Sequence, residues 1–152
     1  MQAIGKFDHL QELFNALIAG NTHSVEDLLQ KFIITSISSF DIPDSESEKS
    51  YHMFVLGLLV ALEGEYAVRS NRESGYGRYD VMLIPHDKSK TGVVIEFKSA
   101  RRQTLEQATD DALLQIQDKQ YAQELRAQGV KNIMGYGIAF AGKELLVKSI
   151  TL

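Results

Sequence analysis

Two short apolar runs that each carry charge at one end constrain this chain more than any other feature. The first lies in Gly77-Arg78-Tyr79-Asp80-Val81-Met82-Leu83-Ile84 and the second is Val93-Val94-Ile95-Glu96-Phe97-Lys98, with a polar loop from Pro85 to Gly92 between them. Apolar runs of this length, rich in β-branched residues and parted by a proline-initiated loop, predict two strands joined as a hairpin. Side chains alternate across a sheet, so Glu96 and Lys98 share one face while Ile95 and Phe97 take the other. Asp80 shares its face with Met82 and Ile84. A hairpin pairing around its loop sets the start of the first strand against the end of the second. Asp80 then falls near Glu96 and Lys98.

Burying a carboxylate or an ammonium without a partner costs several kcal/mol or more, so such groups normally have an ionic partner or a metal. Two hard oxygen ligands with room for water and a phosphate describe a Mg²⁺ site better than a zinc site. Such a metal lowers the pKa of a bound water and neutralises charge developing on a phosphate. Lys98 would orient that water or place positive charge on the oxyanion. The competing reading of the same three residues is a structural ion pair at a strand end.

At 152 residues, the chain suits one domain able to bury its apolar surface without staples. It has no cysteine, which removes disulfides, thiolate nucleophiles and Cys-type zinc sites. Met53 to Leu62, the longest apolar run, is too short to cross a bilayer, and the N-terminus lacks a secretory pattern. The expectation is a soluble, cytoplasmic protein. The net charge of -4 argues against a general polyanion binder. Its distribution is uneven, however. From Arg69 to Arg102 there are eight basic residues against four acidic ones, a local balance of +4 that leaves -8 for the rest. A basic strip around the candidate site is what a phosphate backbone requires, although each single charge also fits a solvated loop.

Leu10, Leu13, Phe14 and Leu17 form a helical stripe within Phe7 to Ala19, ended by Gly20. Ser24-x-x-Asp27 resembles a capping signal for a second helix through Ile34. Ser36 to Ser50 is polar and reads as a loop, the boundary before a core that begins at residue 48. Tyr51 to Leu62 predicts a buried helix with a C-cap at Gly64, and Glu65 to Ser70 a strand followed by a turn over Asn71 to Gly77. Thr104-x-x-Gln107 is a capping box opening a long helix that ends at Gln128-Gly129. Ile133 to Phe140 and Glu144 to Ile150 read as strands around a tight hairpin at Ala141-Gly142-Lys143. The order helix, three strands, helix, two strands predicts an α/β domain, with helices on a mixed sheet and the N-terminal helices laid against it.

This order, with Asp80 and Glu96-Phe97-Lys98, resembles the PD-(D/E)XK nuclease superfamily. Three further segments resemble the nuclease-like domain found C-terminal to AAA-ATPase-like domains in many bacterial proteins. They are Ser70-Asn71-Arg72-Glu73-Ser74-Gly75-Tyr76-Gly77-Arg78-Tyr79-Asp80, Gln115-Ile116-Gln117-Asp118-Lys119-Gln120-Tyr121-Ala122 and Gly135-Tyr136-Gly137-Ile138-Ala139-Phe140. The resemblance covers residue 48 to the end and, more weakly, the N-terminal helices. It implies a restriction-endonuclease-like αβββαβ core over 48–152, with a helical region over 1–47 in the same domain. It also implies that Asp80 and Glu96 bind Mg²⁺, with Mn²⁺ as a substitute, and that Lys98 assists the attacking water. Glu48 matches a further acid that often completes the metal site on the first core helix. Tyr79 stands where the motif's name has proline, a position whose chemistry does not require it.

Gln115 shares a helical face with Ala108, Ala112 and Lys119, whose small members let a helix approach a sheet, and related nucleases often carry a Gln there. It is a candidate substrate contact, alongside Arg78 and Arg72 near the glycine turn and Arg101 and Arg102 after the second charged strand. Tyr121 reads as core packing with its hydroxyl satisfied. No G-x-x-x-x-G-K-[ST] loop is present, so an ATPase partner domain of the family is absent from this chain. Nucleic acid is the expected partner, DNA or RNA, and a homodimer suits an enzyme that cuts both strands. Two rivals stay open: a catalytically silent nucleic-acid-binding module of the same fold, and a protein-interaction domain whose charged strand ends are ion-paired.

Overall fold

The structure, a computed structural model, describes residues 2–37, 55–57, 59–61, 63–74, 77–100 and 102–152, with backbone alone for 2–9, 32–37, 71–74 and 77–79. Helix α1 spans Gln2–Ala19 and α2 spans Thr22–Ile37. The predicted stripe of α1 is buried at Leu10, Leu13, Phe14 and Leu17. α2 starts earlier than Ser24, because Asn21 provides the cap. Its Oδ1 accepts the Ser24 N–H at 3.2 Å. Residues 55–57 and 59–61 are helical. Here the expectation of full burial is corrected, since Val55 and Leu59 are buried but Val60 is half exposed. The expected cap at Gly64 is also corrected: its φ is not left-handed, and the Glu63 N–H turns back to Val60 O at 3.0 Å.

The strands are β1 (Tyr66–Ser74), β2 (Gly77–Pro85), β3 (Gly92–Ser99), β4 (Ile133–Ala141) and β5 (Glu144–Thr151). They form one sheet in the order β1-β2-β3-β4-β5, antiparallel throughout except for β3 against β4. The parallel pair is bridged by α3 (Leu105–Asp118) and α4 (Ala122–Ala127). This is a mixed α/β sheet flanked by helices, consistent with the restriction-endonuclease-like fold. β1 runs four residues beyond the expected Ser70, so Arg72 and Glu73 belong to the strand and not to the turn.

Alternation along the central strands fills two apolar layers. Val81, Leu83, Val93, Ile95, Phe97, Tyr136, Ile138 and Phe140 join α1 and α2 in one core. Met82, Ile84 and Val94 pack on the opposite side with Ile116, Tyr121 and Leu125. The Tyr136 hydroxyl donates to Leu17 O at 2.7 Å, fixing the C-terminal turn of α1 to β4. α2 also covers the outer edge of β5. Glu26 Oε1 accepts the Val147 N–H at 2.9 Å, Gln30 Oε1 accepts the Leu145 N–H at 3.0 Å, and the hydroxyls of Thr22 and Ser149 pair. Helical residues four apart thus meet strand residues two apart, closing an edge that would otherwise offer free backbone groups.

α3 opens on the predicted capping box: Thr104 Oγ1 accepts the Gln107 N–H at 3.1 Å and Gln107 Oε1 accepts the Thr104 N–H at 3.0 Å. The single long helix expected from there to Gly129 is instead two. Gln120 takes the left-handed conformation (φ 54), and its N–H bonds to Gln117 O while the Tyr121 N–H reaches Ile116 O. This is the Schellman pairing, built on a glutamine. The same pairing recurs on the expected residue at the end of α4, where Gly129 has φ 92.

Candidate functional site

The site forms where β2 and β3 part. Their ladder pairs Leu83 with Val93, Met82 with Val94 and Val81 with Ile95, whereas β2 stays paired with β1 as far as Ser74 and Gly77. One step beyond Val81 and Ile95, Asp80 stands opposite Glu96. Asp80 Oδ2 accepts the Phe97 N–H at 2.7 Å. The carboxylate thereby takes a backbone donor at the point where the regular ladder stops.

Val94, Glu96 and Lys98 alternate onto the side of the sheet that carries α3. Glu96 is only 4% exposed, whereas the Lys98 side chain is 29% exposed. The charges of the pair are therefore unequally wetted, and the carboxylate depends on its protein partners. Gln115 Nε2 donates to Glu96 Oε1 at 2.8 Å, Gln115 Oε1 accepts from Lys98 Nζ at 2.7 Å, and Lys98 Nζ lies 3.8 Å from Glu96 Oε1. Gln115 Nε2 also donates to the Tyr121 hydroxyl at 3.0 Å.

α3 reaches this position because β4 carries no side chain beneath it at Gly137. Glu96 is registered with Gly137 of β4. A Cβ on Gly137 would lie 2.8 Å from Thr109 O and 3.0 Å from the Ala112 Cβ, so a side chain there would push the helix off the sheet. Ala108, Thr109 and Ala112 are fully buried in that contact, and Gln115 follows one turn later.

A profile of the PD-(D/E)XK nuclease superfamily matches residues 46–150. The chain belongs to that superfamily. No curated protein matches it. A solved structure titled "Crystal structure of SSO0001" shares 18% identity at a TM-score of 0.32, over 84% of this chain and 77% of that one. PD-(D/E)XK nucleases generally use divalent metals.

Among the described residues, no group of three or more His, Asp or Glu side chains gathers to hold a metal ion. The pair that the strands do bring together, Asp80 and Glu96, offers only carboxylate oxygen. That donor chemistry fits a hard divalent cation that keeps part of its water shell. Of the other predicted residues, Arg102 is exposed in the bend before α3. Arg72 lies on β1 and Arg78 on β2, with backbone alone described. Glu48 and Arg101 lie outside the described residues. Among the described residues, no helix is long and apolar enough to cross a membrane.

Three contributions escape sequence reading. The Asp80 bond to the Phe97 N–H depends on where two strands part. The closeness of α3 to Gly137 depends on a parallel register, although the glycine itself is a signal for close approach. The bond from Gln115 to Tyr121 joins residues six apart, which on a continuous helix would point about 240° from one another.

Proposed function

We propose that this chain is a Mg²⁺-dependent nuclease, active also with Mn²⁺, that hydrolyses phosphodiester bonds of DNA or RNA with water as the nucleophile. The observation that carries this reading is the buried Glu96, bonded to Gln115, 3.8 Å from the Lys98 ammonium and set opposite Asp80 across a parting pair of strands. A structural ion pair needs neither the second carboxylate nor the opening between the strands.

In this reading Asp80 and Glu96 hold the metal, with Glu48 as a further acid of the set. When bound, the cation acidifies water and offsets negative charge on the phosphate. Lys98 Nζ, the more exposed partner of its pair, donates a hydrogen bond that orients the attacking water and places positive charge beside the phosphate oxygens as charge accumulates there. Gln115 keeps the carboxylate and the ammonium in one orientation, so little reorganisation is required during reaction. Arg72, Arg78, Arg101 and Arg102 contribute phosphate contacts along the basic segment, and their effect weakens with salt.

The test is cleavage of labelled duplex DNA, single-stranded DNA and RNA in Mg²⁺ and in Mn²⁺, with and without EDTA. Wild type is expected to cut at least one substrate in a metal-dependent manner and Glu96→Gln to lose that cutting. Equal cleavage by Glu96→Gln would overturn the assignment. Binding without turnover would leave the silent module of the same fold as the better account.

A further inference from the structure

We infer that Tyr121 is a positioning residue for the Glu96–Lys98 centre, acting through the carboxamide of Gln115; this rests on the nuclease reading above. A glutamine amide has two N–H donors and one oxygen acceptor. Here Nε2 donates to Glu96 Oε1 and to the Tyr121 hydroxyl, while Oε1 receives the Lys98 ammonium. Both hydrogens and the oxygen are therefore used. A flip of the amide would set oxygen against the carboxylate and NH₂ against the ammonium, so charge selects one orientation. Tyr121 then restrains rotation of the amide about its own stem, because the phenol gives the second hydrogen a fixed acceptor.

The phenol can serve as that fixed point because its surroundings hold it. Tyr121 is fully buried in the apolar layer that includes Ile116 and Leu125. It reaches Gln115 only because the chain reverses at Gln120, whose left-handed backbone ends α3. That conformation is unfavourable for a non-glycine residue, so the surrounding contacts must favour it. The Schellman pairing and the contact of Tyr121 with the Ile116 layer supply them. The turn that interrupts the helix is thus also the element that delivers the hydroxyl to the site.

Tyr121→Phe tests this, since it removes the hydroxyl and keeps the ring. In the metal-free protein, the side-chain ¹⁵N–¹H signals of Gln115 should move in Tyr121→Phe, a change that lost packing alone would not confine to that amide. In cleavage, kcat should fall about three- to tenfold with KM unchanged, the size of one neutral hydrogen bond. Gln115→Leu should cost about 10- to 100-fold, because it removes bonds to charged partners. Adding Tyr121→Phe to Gln115→Leu should cost nothing more. Mg²⁺ affinity by calorimetry should fall about threefold in Tyr121→Phe, a smaller loss than is usual for groups bonded directly to a ligand. Unmoved Gln115 signals, or an additive loss in the double variant, would overturn the proposal. If Tyr121→Phe does not fold, 3-fluorotyrosine at position 121 keeps the shape while weakening the acceptor, and the same amide shift decides. A wild type that cuts none of the three substrates would defeat the nuclease reading separately. The amide signals and the Mg²⁺ titration would still judge the role of Tyr121.

Discussion

The Asp80 carboxylate accepts the backbone N–H of Phe97 at 2.7 Å, placing its oxygen on the residue that stands between Glu96 and Lys98. One bond therefore couples the first half of the site to the second. It does so where the β2–β3 register ends at Val81 and Ile95, while β2 remains paired with β1 as far as Ser74 and Gly77. The parting of the strands and the proximity of the charged groups are one feature of the sheet.

That bond separates two effects of changing Asp80. Asp80→Asn keeps an oxygen to accept the Phe97 N–H but loses the negative charge. Its thermal midpoint should stay near wild type, while Mg²⁺ affinity by calorimetry falls about tenfold or more. Asp80→Ala should lose affinity and stability together, by about 1–3 kcal/mol for the backbone donor left without its acceptor. Wild-type Mg²⁺ affinity in Asp80→Asn would exclude it as a ligand.

Lys98 lies beside a ligand candidate without being one. Lys98→Ala should abolish most cleavage, about 10²-fold or more for loss of a group that stabilises developing charge. Its Mg²⁺ affinity should stay at wild type or rise, because a cation 3.8 Å from Glu96 has been removed. Weakened metal binding in Lys98→Ala would show that the ammonium holds Glu96 in place and does not act on the substrate.

Gly137 tests how closely α3 must approach. Gly137→Ala puts a methyl group 2.8 Å from Thr109 O, a backbone atom that cannot swing aside. Overpacking of this kind costs about 1–3 kcal/mol. The urea midpoint should fall accordingly, and kcat should fall further than stability explains because Gln115 moves with the helix. An unchanged midpoint and rate would show that the helix can shift at no cost.

Gln120→Gly should stabilise the protein by about 1 kcal/mol, since glycine relieves the left-handed strain at φ 54 while the hydrogen-bond pattern stays. Cleavage should be unaltered as long as Tyr121 keeps its place. A lower thermal midpoint would mean that the glutamine side chain, which accepts from Gln123 Nε2 at 2.6 Å, contributes more than the strain costs.

Alkaline stability should follow the buried tyrosines. Burial pushes the Tyr136 hydroxyl from 10.0 up to about 12. Tyr66 rises to about 12 as well, through burial first and then the nearby Glu65 and Asp87. The unfolded chain releases these protons near pH 10 while the folded chain keeps them until about 12, so the folded state binds more protons across that window. Their contribution is fully present below pH 10 and is lost as pH rises towards 12. Urea midpoints across pH 9–12 should show a decline that is shallower in Tyr136→Phe, and an equal slope in both proteins would refute this origin.

What the sequence determined by itself is what short-range energetics fix. The period of two in the charged strands, the Thr104–Gln107 box, the glycine at position 129 and the stripe of α1 each act within a few residues, so they can be read along the chain. The same alternation was enough to set Asp80 across from Glu96 and to put Lys98 on the same face. Tertiary structure decided the rest, because it turns on groups far apart in the chain. Nothing local marks Gln120 as a turn residue; the core that receives Tyr121 stabilises it there. Nothing in Glu26 or Gln30 announces that they will close the edge of β5. The parallel register that puts Gly137 beside Glu96 draws α3 down, and that approach lets the amide of Gln115 reach both a carboxylate and an ammonium.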